Sequence, residues 1–206
     1  MNHIDPKRHW EDVYGNKAEN EVSWFQDEPA TSIEFIRHCG GGPDTAIIDI
    51  GGGESRLVDR LLDAGYSNVT VLDLSEHALR HTKERLGERA QAVNWIVADI
   101  TRWKTPVRYK LWHDRAVLHF LTEQADRDAY RRTLLDAVLP GGCVVISTFA
   151  LDGPEKCSGL PVVRYSPQSL AAELGPELKL VETRDEGHST PWGTVQHFQF
   201  SRFTRL

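Results

Sequence analysis

Short apolar runs alternate with amphipathic segments through the middle of the chain. The runs are rich in Ile, Val and Leu and are bounded by turn-forming residues, which is typical of strands buried on both faces. The predicted strands are residues 45–50, 68–74, 92–100, part of 109–120, and 143–150. Apolar side chains recur at helical spacing in residues 55–65, 75–87 and 122–142. This alternation predicts an α/β fold with a parallel sheet covered by helices.

The C-terminal end has a different pattern. Two strand-like segments, residues 178–188 and 193–203, are joined by the short sequence "STPWG". A connection this short predicts an antiparallel pair. If the first of the two runs parallel to the earlier strands, its turn lies at the sheet edge where those strands end. Residues 151–166 have no regular pattern and predict a loop.

Composition narrows the class of protein. A chain of 206 residues, 40 % hydrophobic and 26 % charged, favours one soluble domain with a sizeable core. The net charge of -6 argues against a nucleic-acid partner, which usually meets a basic surface. No apolar run approaches the roughly 20 residues that span a membrane, and the N-terminus lacks a signal-peptide core. We therefore expect a cytoplasmic protein with no membrane partner.

Three cysteines, Cys39, Cys143 and Cys157, are widely spaced. Their odd number and spacing predict neither a disulfide framework nor a metal site. Cys143 lies in a predicted core strand, where we expect a small buried thiol.

Three consecutive glycines, Gly51 to Gly53, follow the first predicted strand directly. Glycines at this point let a ligand lie against the backbone, close to the free N–H groups of the next helix. A dinucleotide and S-adenosylmethionine are the two ligand classes that fit. The dinucleotide fingerprint requires a further glycine where this chain has Arg56, which weakens that interpretation.

Acidic residues lie at or near the ends of three successive strands: Asp49, Asp73 and Asp99. A carboxylate can accept hydrogen bonds from the two vicinal hydroxyls of a ribose, which suits Asp73. The alternative role for Asp73 is to cap the next helix, although Ser75 already suits that position. The Asp99 carboxylate could accept a hydrogen bond from an adenine amine, or Asp99 could equally be an ordinary residue of the turn that ends the strand.

These motifs together resemble the class I S-adenosylmethionine-dependent methyltransferases. The similar segments are "IIDIGGGES", "VTVLDLSEHAL", "WIVADIT", "YKLWHDRAVLHFL" and "LLDAVLPGGCVVIST", which cover residues 45–150. The N-terminal "HWEDVYGNKAENEVSWFQ" is similar to small methyltransferases that include some acting on protein lysines. The resemblance implies a Rossmann-like, doubly wound seven-stranded sheet of order 3-2-1-4-5-7-6, mostly parallel with an antiparallel last strand. It also implies one domain over 1–206: N-terminal cap helices in 1–40, a cofactor-binding core in 45–150, and a substrate-side loop and hairpin in 151–206.

The resemblance assigns S-adenosylmethionine as cofactor and implies roles for individual residues. Asp73 and Leu74 would contact the ribose and adenine, and Asp99 and Ile100 the adenine. The methionine end of the cofactor would lie near the remaining cofactor-binding residues. An N-terminal aromatic pair would fold over the cofactor. Those cofactor-binding residues are Asp49, Gly51, Gly53, Asp114 and Arg115, with Tyr14 and Trp24 as the aromatic pair. Ordinary core packing is an equal alternative for Tyr14 and Trp24.

Candidates for catalysis and substrate contact follow the fourth and fifth strands. His113 and His119 flank the site and are candidate bases, although a lone histidine is more often structural. Two later loops can reach the pocket, and their polar and aromatic residues suit substrate contact. The substrate candidates are Cys157, Arg164, Tyr165, His188 and Trp192.

The sequence therefore predicts methyl transfer to a nucleophile on a small molecule, by in-line attack on the sulfonium methyl. A protein lysine is the alternative acceptor. A nicotinamide-dependent oxidoreductase and a non-catalytic cofactor-binding protein are the alternatives from other classes. The acceptor atom and the oligomeric state are left open by the sequence.

Overall fold

The computed structural model describes residues 5–206, so the first four residues of the predicted domain lie outside the described part. The strands are β1 (Ile47–Ile50), β2 (Val69–Asp73), β3 (Val93–Val97), β4 (Tyr109–Arg115), β5 (Val138–Phe149), β6 (Lys156–Cys157), β7 (Leu160–Pro161), β8 (Leu178–Ser189) and β9 (Val195–Arg205). The helices are α1 (Pro6–Asn16), α2 (Ala30–His38), α3 (Leu57–Asp63), α4 (Glu76–Leu86), α5 (Gln124–Ala137) and α6 (Pro167–Leu174).

Seven strands form one sheet in the order β3-β2-β1-β4-β5-β9-β8. Strands β1 to β5 pair in parallel, and β9 pairs antiparallel with both β5 and β8. Counted along this sheet alone, the order is 3-2-1-4-5-7-6 with an antiparallel last strand, so the predicted α/β fold class is confirmed. Because β8 runs in the direction of β5, the β8–β9 turn lies at the edge where the parallel strands end.

Helices cover both faces of the sheet, which explains why β1 and β2 are buried along their whole length. On one face α2 and α3 pack against the sheet through residues such as Phe35 and Leu61. On the other face α5 and α6 pack through residues such as Tyr130, Leu134 and Leu170. The two layers hold the sheet rigid, so the loops at its edge are presented from a fixed frame.

The largest differences from the prediction are in α5, where the strand β5 begins early, and in α6. The helix predicted over 122–142 ends at Ala137, because Val138 is already extended and pairs with Tyr109 in β4. Pro140 disfavours helical backbone in the residue before it, which is consistent with this early end. Helix α6 was not predicted; its signal is Ser166, which caps the helix ahead of a proline in the first turn.

Cys39 and Cys143 form a disulfide across 104 residues of sequence, with their Cα atoms 5.7 Å apart. The expectation of no disulfide and of a free Cys143 thiol is therefore wrong. Cys39 caps the C-terminus of α2, and α2 packs on the face of the sheet that carries Cys143. This proximity arises from tertiary packing, which the spacing of cysteines in the sequence does not reveal. Cys157 is free and buried.

Within residues 5–206, no helix is long and apolar enough to cross a membrane.

Candidate functional site

The glycine turn after β1 has a backbone that side chains would obstruct. Gly51 and Gly53 have φ values of 64° and 43°, the left-handed region that favours glycine. A Cβ at Gly51 would collide with Val117, and one at Gly53 would lie 2.9 Å from the Tyr14 hydroxyl oxygen and 3.1 Å from Asp73 Oδ2. The turn therefore carries no side chains because α1, the end of β2 and the loop after β4 approach its backbone closely.

Asp73 ends β2 and is buried beneath this turn. Its Oδ1 accepts a hydrogen bond from the backbone N–H of Ser75 at 2.8 Å. Burial raises the pKa of Asp73 to about 7, and the Ser75 N–H offsets part of that rise. Ser75, and not Asp73, caps α4 by accepting from the Ala78 N–H at 3.2 Å. The carboxyl of Asp73 is thus desolvated at little structural benefit to the helix, which suits a ligand-binding group.

Asp99 lies in the turn after β3, where its side chain is 40 % exposed. Its Oδ1 accepts from the Thr101 N–H at 2.9 Å and from the Thr101 hydroxyl at 2.6 Å. Asp99 therefore organises its own turn, and its Oδ2 lies 3.7 Å from Arg102 Nε at the surface. The adjacent Ile100 is buried, and Leu74 after β2 is half-buried.

Asp49, His113 and Ser32 form a buried chain of hydrogen bonds under the glycine turn. His113 Nδ1 lies 2.7 Å from Asp49 Oδ1, and its Nε2 lies 2.9 Å from the Ser32 hydroxyl. The chain links β1, β4 and α2, because Asp49 and His113 are direct neighbours in the sheet register. Both ring nitrogens are engaged, so His113 orients Asp49 in this structure. No pattern in the sequence indicates a role for Ser32.

Asp114 and Arg115 point to opposite faces of β4. Asp114 is fully buried, and it accepts hydrogen bonds from the Tyr130 hydroxyl at 2.6 Å and from the N–H groups of Val117 and Leu118. Burial raises the pKa of Asp114 to about 6. These three donors hold Asp114 against α5 and the loop after β4, away from the glycine turn.

Arg115 points to the other side, where it lines a cavity together with Asp49, Gly51 and Trp24. Its Nη1 donates to the Trp24 carbonyl at 3.0 Å, and its guanidinium carbon lies 4.8 Å from the Phe198 ring centroid. Burial lowers the pKa of Arg115 to about 10. The guanidinium stays charged at neutral pH and forms the cavity wall on the β9 side.

Aromatic side chains from the N-terminal segment cover the cavity. Ring centroids lie 5.6 Å apart for Trp10 and Trp24, 6.2 Å for Tyr14 and Trp24, and 5.0 Å for Trp10 and Phe120. Tyr14 is buried, and burial together with the charge of Asp73 raises its pKa well above the usual value. The predicted pair Tyr14 and Trp24 therefore lies over the glycine turn.

Helix α1 is fixed in this position by Glu11. Its carboxylate accepts hydrogen bonds from the Ser75 hydroxyl at 2.8 Å and from the N–H groups of Glu76 and His77 at 3.0 and 3.1 Å. These groups form the first turn of α4, where the helix dipole favours an anion. Sequence reasoning missed Glu11, because nothing local distinguishes it from other exposed acids on a polar helix.

His119 and two of the substrate candidates surround Arg115. His119 is buried, and its Nδ1 accepts from the Phe149 N–H at 3.3 Å. Burial, followed by the charge of Arg115, lowers the pKa of His119 to about 3. His188 Nε2 lies 2.7 Å from the Ser23 carbonyl oxygen. Cys157 lies next to Ser23, and burial raises the pKa of its thiol to about 11.

The other substrate candidates lie elsewhere. Arg164 pairs with Glu155 at 3.2 Å in the loop after β5. Tyr165 packs into the core on the α5 and α6 face. Trp192 is 60 % exposed at the tip of the β8–β9 turn. Within residues 5–206, no group of three or more His, Cys, Asp or Glu side chains is placed to hold a metal ion.

Known proteins similar to the chain share this fold and parts of its sequence. A family model described as a methyltransferase domain matches residues 47–142. The eEF1A lysine and N-terminal methyltransferase of Mus musculus is 27 % identical over 100 residues, 48 % of this chain and 14 % of that protein. Nodulation protein S of Sinorhizobium fredii is 28 % identical over 136 residues, 62 % of this chain and 61 % of that protein. The chain therefore spans less than two thirds of the length of either relative.

A solved structure of the N-methyltransferase NodS from Bradyrhizobium japonicum WM9, in complex with S-adenosylhomocysteine, matches the whole fold. The TM-score is 0.73 at 17 % identity, covering 98 % of this chain and 99 % of that chain. At this identity the likeness concerns the fold.

Proposed function

We propose that this chain, which carries a class I S-adenosylmethionine-dependent methyltransferase domain, transfers a methyl group to a nucleophile on a small-molecule acceptor. The observation that carries the proposal is the arrangement at the sheet edge. A bare glycine turn after β1 faces a buried, desolvated carboxyl at the end of β2. The cover of aromatic side chains suits a ligand with an apolar and cationic end.

The residues present fit the cofactor. Asp73 would accept from the ribose hydroxyls, and the next strand's Asp99 and Ile100 would contact the adenine. The methionine portion would lie against Gly51 and Gly53, with Asp49 held in place by His113. When bound, S-adenosylmethionine supplies a methyl group that is already electrophilic, so the protein has mainly to orient the acceptor and exclude water.

A small-molecule acceptor is favoured by the closed character of the site. Tyr14, Trp24 and Phe25 line the cavity and cover it, and the negative net charge offers no attraction to nucleic acid. The same fold in a solved 1,6-didemethyltoxoflavin-N1-methyltransferase from Burkholderia thailandensis holds 1,6-didemethyltoxoflavin together with S-adenosylhomocysteine, so the fold accommodates a small acceptor beside the cofactor.

A protein lysine is the second candidate acceptor. It is supported by the similarity to the eEF1A lysine and N-terminal methyltransferase, which covers about half of this chain. A screen of lysine peptides and of small amines, thiols and acids with labelled S-adenosylmethionine separates the two candidates. Label on peptides alone would favour the protein acceptor.

Calorimetric titration with S-adenosylhomocysteine, with NAD in parallel, tests the cofactor assignment first. We expect micromolar or tighter affinity for the former and none for the latter, and we expect Asp73→Asn to weaken binding by roughly tenfold or more. Binding of NAD in preference would overturn the proposal and direct attention to redox chemistry. Binding of S-adenosylhomocysteine without turnover on any acceptor would support a non-catalytic cofactor-binding protein.

A further inference from the structure

Arg115 is a part-buried cation without a carboxylate partner among the described residues. Two other part-buried arginines have one: Arg85 lies 2.7 Å from Asp59, and Arg127 lies 3.2 Å from Glu173. In Arg115, only Nη1 has a partner, the Trp24 carbonyl, whereas Nε and Nη2 are buried without any. Unpaired buried donors on a charged group are costly, so this arrangement points to a missing acceptor.

A second unpaired donor belongs to His119. Its Nδ1 accepts from the Phe149 N–H, so in the neutral ring the proton resides on Nε2. That Nε2 is also buried without a partner. The two side chains border the same pair of rings, those of Phe149 and Phe198, whose centroids lie 4.7 Å apart. The Arg115 guanidinium carbon lies 4.8 Å from the Phe198 ring centroid, and the His119 ring centroid lies 4.8 Å from that of Phe149. Together they offer N–H donors and no acceptor.

The acidic group with the largest effect on Arg115 does not fill this role. Glu186 raises the pKa of Arg115 through its charge, yet the two form no ion pair. The Glu186 carboxylate instead accepts from the Gln26 side-chain amide at 3.0 Å. The remaining titratable neighbours, Cys157 and His188, are neutral at physiological pH because burial shifts both pKa values toward the uncharged form.

The guanidinium lies on the side of the cavity away from the adenosine end. The acids assigned to adenosine follow β2 and β3, whereas the guanidinium stacks on Phe198 in β9. Strand β9 lies three strands away from β1, on the side opposite β2 and β3. At ~4.8 Å per strand, β1 and β9 are about 14 Å apart. Arg115 thus reaches over β5 toward β9, and the cavity that it lines also has the side chains of Val22, Trp24 and Phe25 in its wall.

We propose that Arg115, together with His119, binds a carboxylate group of the methyl acceptor. The acceptor is then a small carboxylic acid with an apolar or aromatic body. The planar guanidinium fork matches a carboxylate with two parallel hydrogen bonds, and the aromatic rings pack on the rest of the molecule. This inference deepens the proposed function and rests on it.

The test is a set of titrations of protein saturated with S-adenosylhomocysteine. The probes are benzoate, phenylacetate and hexanoate, each beside its carboxamide, monitored by saturation-transfer NMR. We expect at least one acid to bind and its amide to bind roughly tenfold more weakly or not at all. Arg115→Gln should weaken binding of the acid by roughly tenfold to a hundredfold. Arg115→Lys keeps the charge but not the planar guanidinium, so its affinity for the acid should lie between those of the wild type and Arg115→Gln.

The carboxylate that Arg115 binds could belong to the methyl acceptor or to the cofactor itself. The affinity for S-adenosylhomocysteine separates these two sources. If Arg115 serves the acceptor, Arg115→Gln changes this affinity by less than about threefold, the scale of a lost surface contact. Arg131→Gln, on the outer surface of α5, is the matched control and should change neither affinity. Thermal unfolding of each variant confirms folding.

Three results would overturn the inference. Equal binding of acids and amides, or no acid binding to protein that does bind S-adenosylhomocysteine, excludes a carboxylate subsite. Weaker S-adenosylhomocysteine binding in Arg115→Gln, with 5′-methylthioadenosine binding unchanged, assigns Arg115 to the cofactor's own carboxylate. If the wild-type protein binds no S-adenosylhomocysteine, the proposed function itself fails, which is a distinct outcome.

Discussion

At the scale of single residues, Asp73 is the group whose environment conflicts most with its chemistry. Its folded pKa of about 7 lies above the ordinary value of 3.8 because of burial. Between these values the folded state holds a proton that the unfolded state has released. Stability therefore falls as pH rises through this window, and above about pH 7 the buried carboxylate imposes its full cost.

We predict that Asp73→Asn stabilises the protein without ligand while it weakens the binding of S-adenosylhomocysteine. Asn keeps an acceptor for the Ser75 N–H and removes the buried charge. The free energy of unfolding at pH 8 should rise by about 1–3 kcal/mol, with little change at pH 4. Urea unfolding at both pH values checks this, and an equal change at the two values would contradict it.

The glycine turn gives a second prediction at this scale. Gly51 and Gly40 both have positive φ, at 64° and 69°, but only Gly51 has a side chain, Val117, where its Cβ would lie. Gly40→Ala should cost about 1–2 kcal/mol for backbone strain alone. Gly51→Ala should cost a further ~1–3 kcal/mol for the collision. Chemical denaturation of both variants measures the difference, and equal losses would show that Val117 moves aside freely.

At the scale of elements, α1 is held on α4 by one carboxylate, that of Glu11, and this contact keeps Tyr14 over the glycine turn. We predict that Glu11→Gln speeds dissociation of S-adenosylhomocysteine by roughly fivefold to thirtyfold, because a charge-assisted contact with three donors is weakened. Tryptophan fluorescence after rapid dilution monitors the release. Asp12→Asn, one residue along the helix in an exposed pair, is the control. An unchanged release rate in Glu11→Gln would mean that α1 does not limit access.

The elements also show what local patterns reveal. Apolar runs predicted β1 to β5 because strands buried on both faces need continuous apolar sequence. The last helical turn before Pro140 was misjudged, because pairing of Val138 with β4 overrides helical spacing there. Glycines and acids at strand ends predicted Gly51, Gly53 and Asp73 at one site. Ser32, Glu11 and the surroundings of Arg115 depend on contacts between distant segments, which periodicity does not encode.

At the scale of the whole molecule, the predicted resemblance to class I methyltransferases is confirmed, and the Cys39–Cys143 disulfide is the feature that no motif indicated. It joins α2 to β5 across 104 residues. We predict that reduction lowers the free energy of unfolding by about 4–5 kcal/mol, the loop-closure entropy for a ring of this size. Urea unfolding with and without dithiothreitol measures the loss. The Cys39→Ser variant should match the reduced protein and be insensitive to reductant, whereas equal stability of the oxidised and reduced wild type would contradict the prediction.

The same disulfide determines how the chain responds to a break. Residues 39–143 form a covalent ring that carries two tails, one with α1 and α2 and the other with residues 144–206. A single cut inside the ring, for example by trypsin after the exposed Lys104, opens the ring but separates no fragments. Nicked protein should therefore run as one species on a non-reducing gel and divide into two pieces only after reduction.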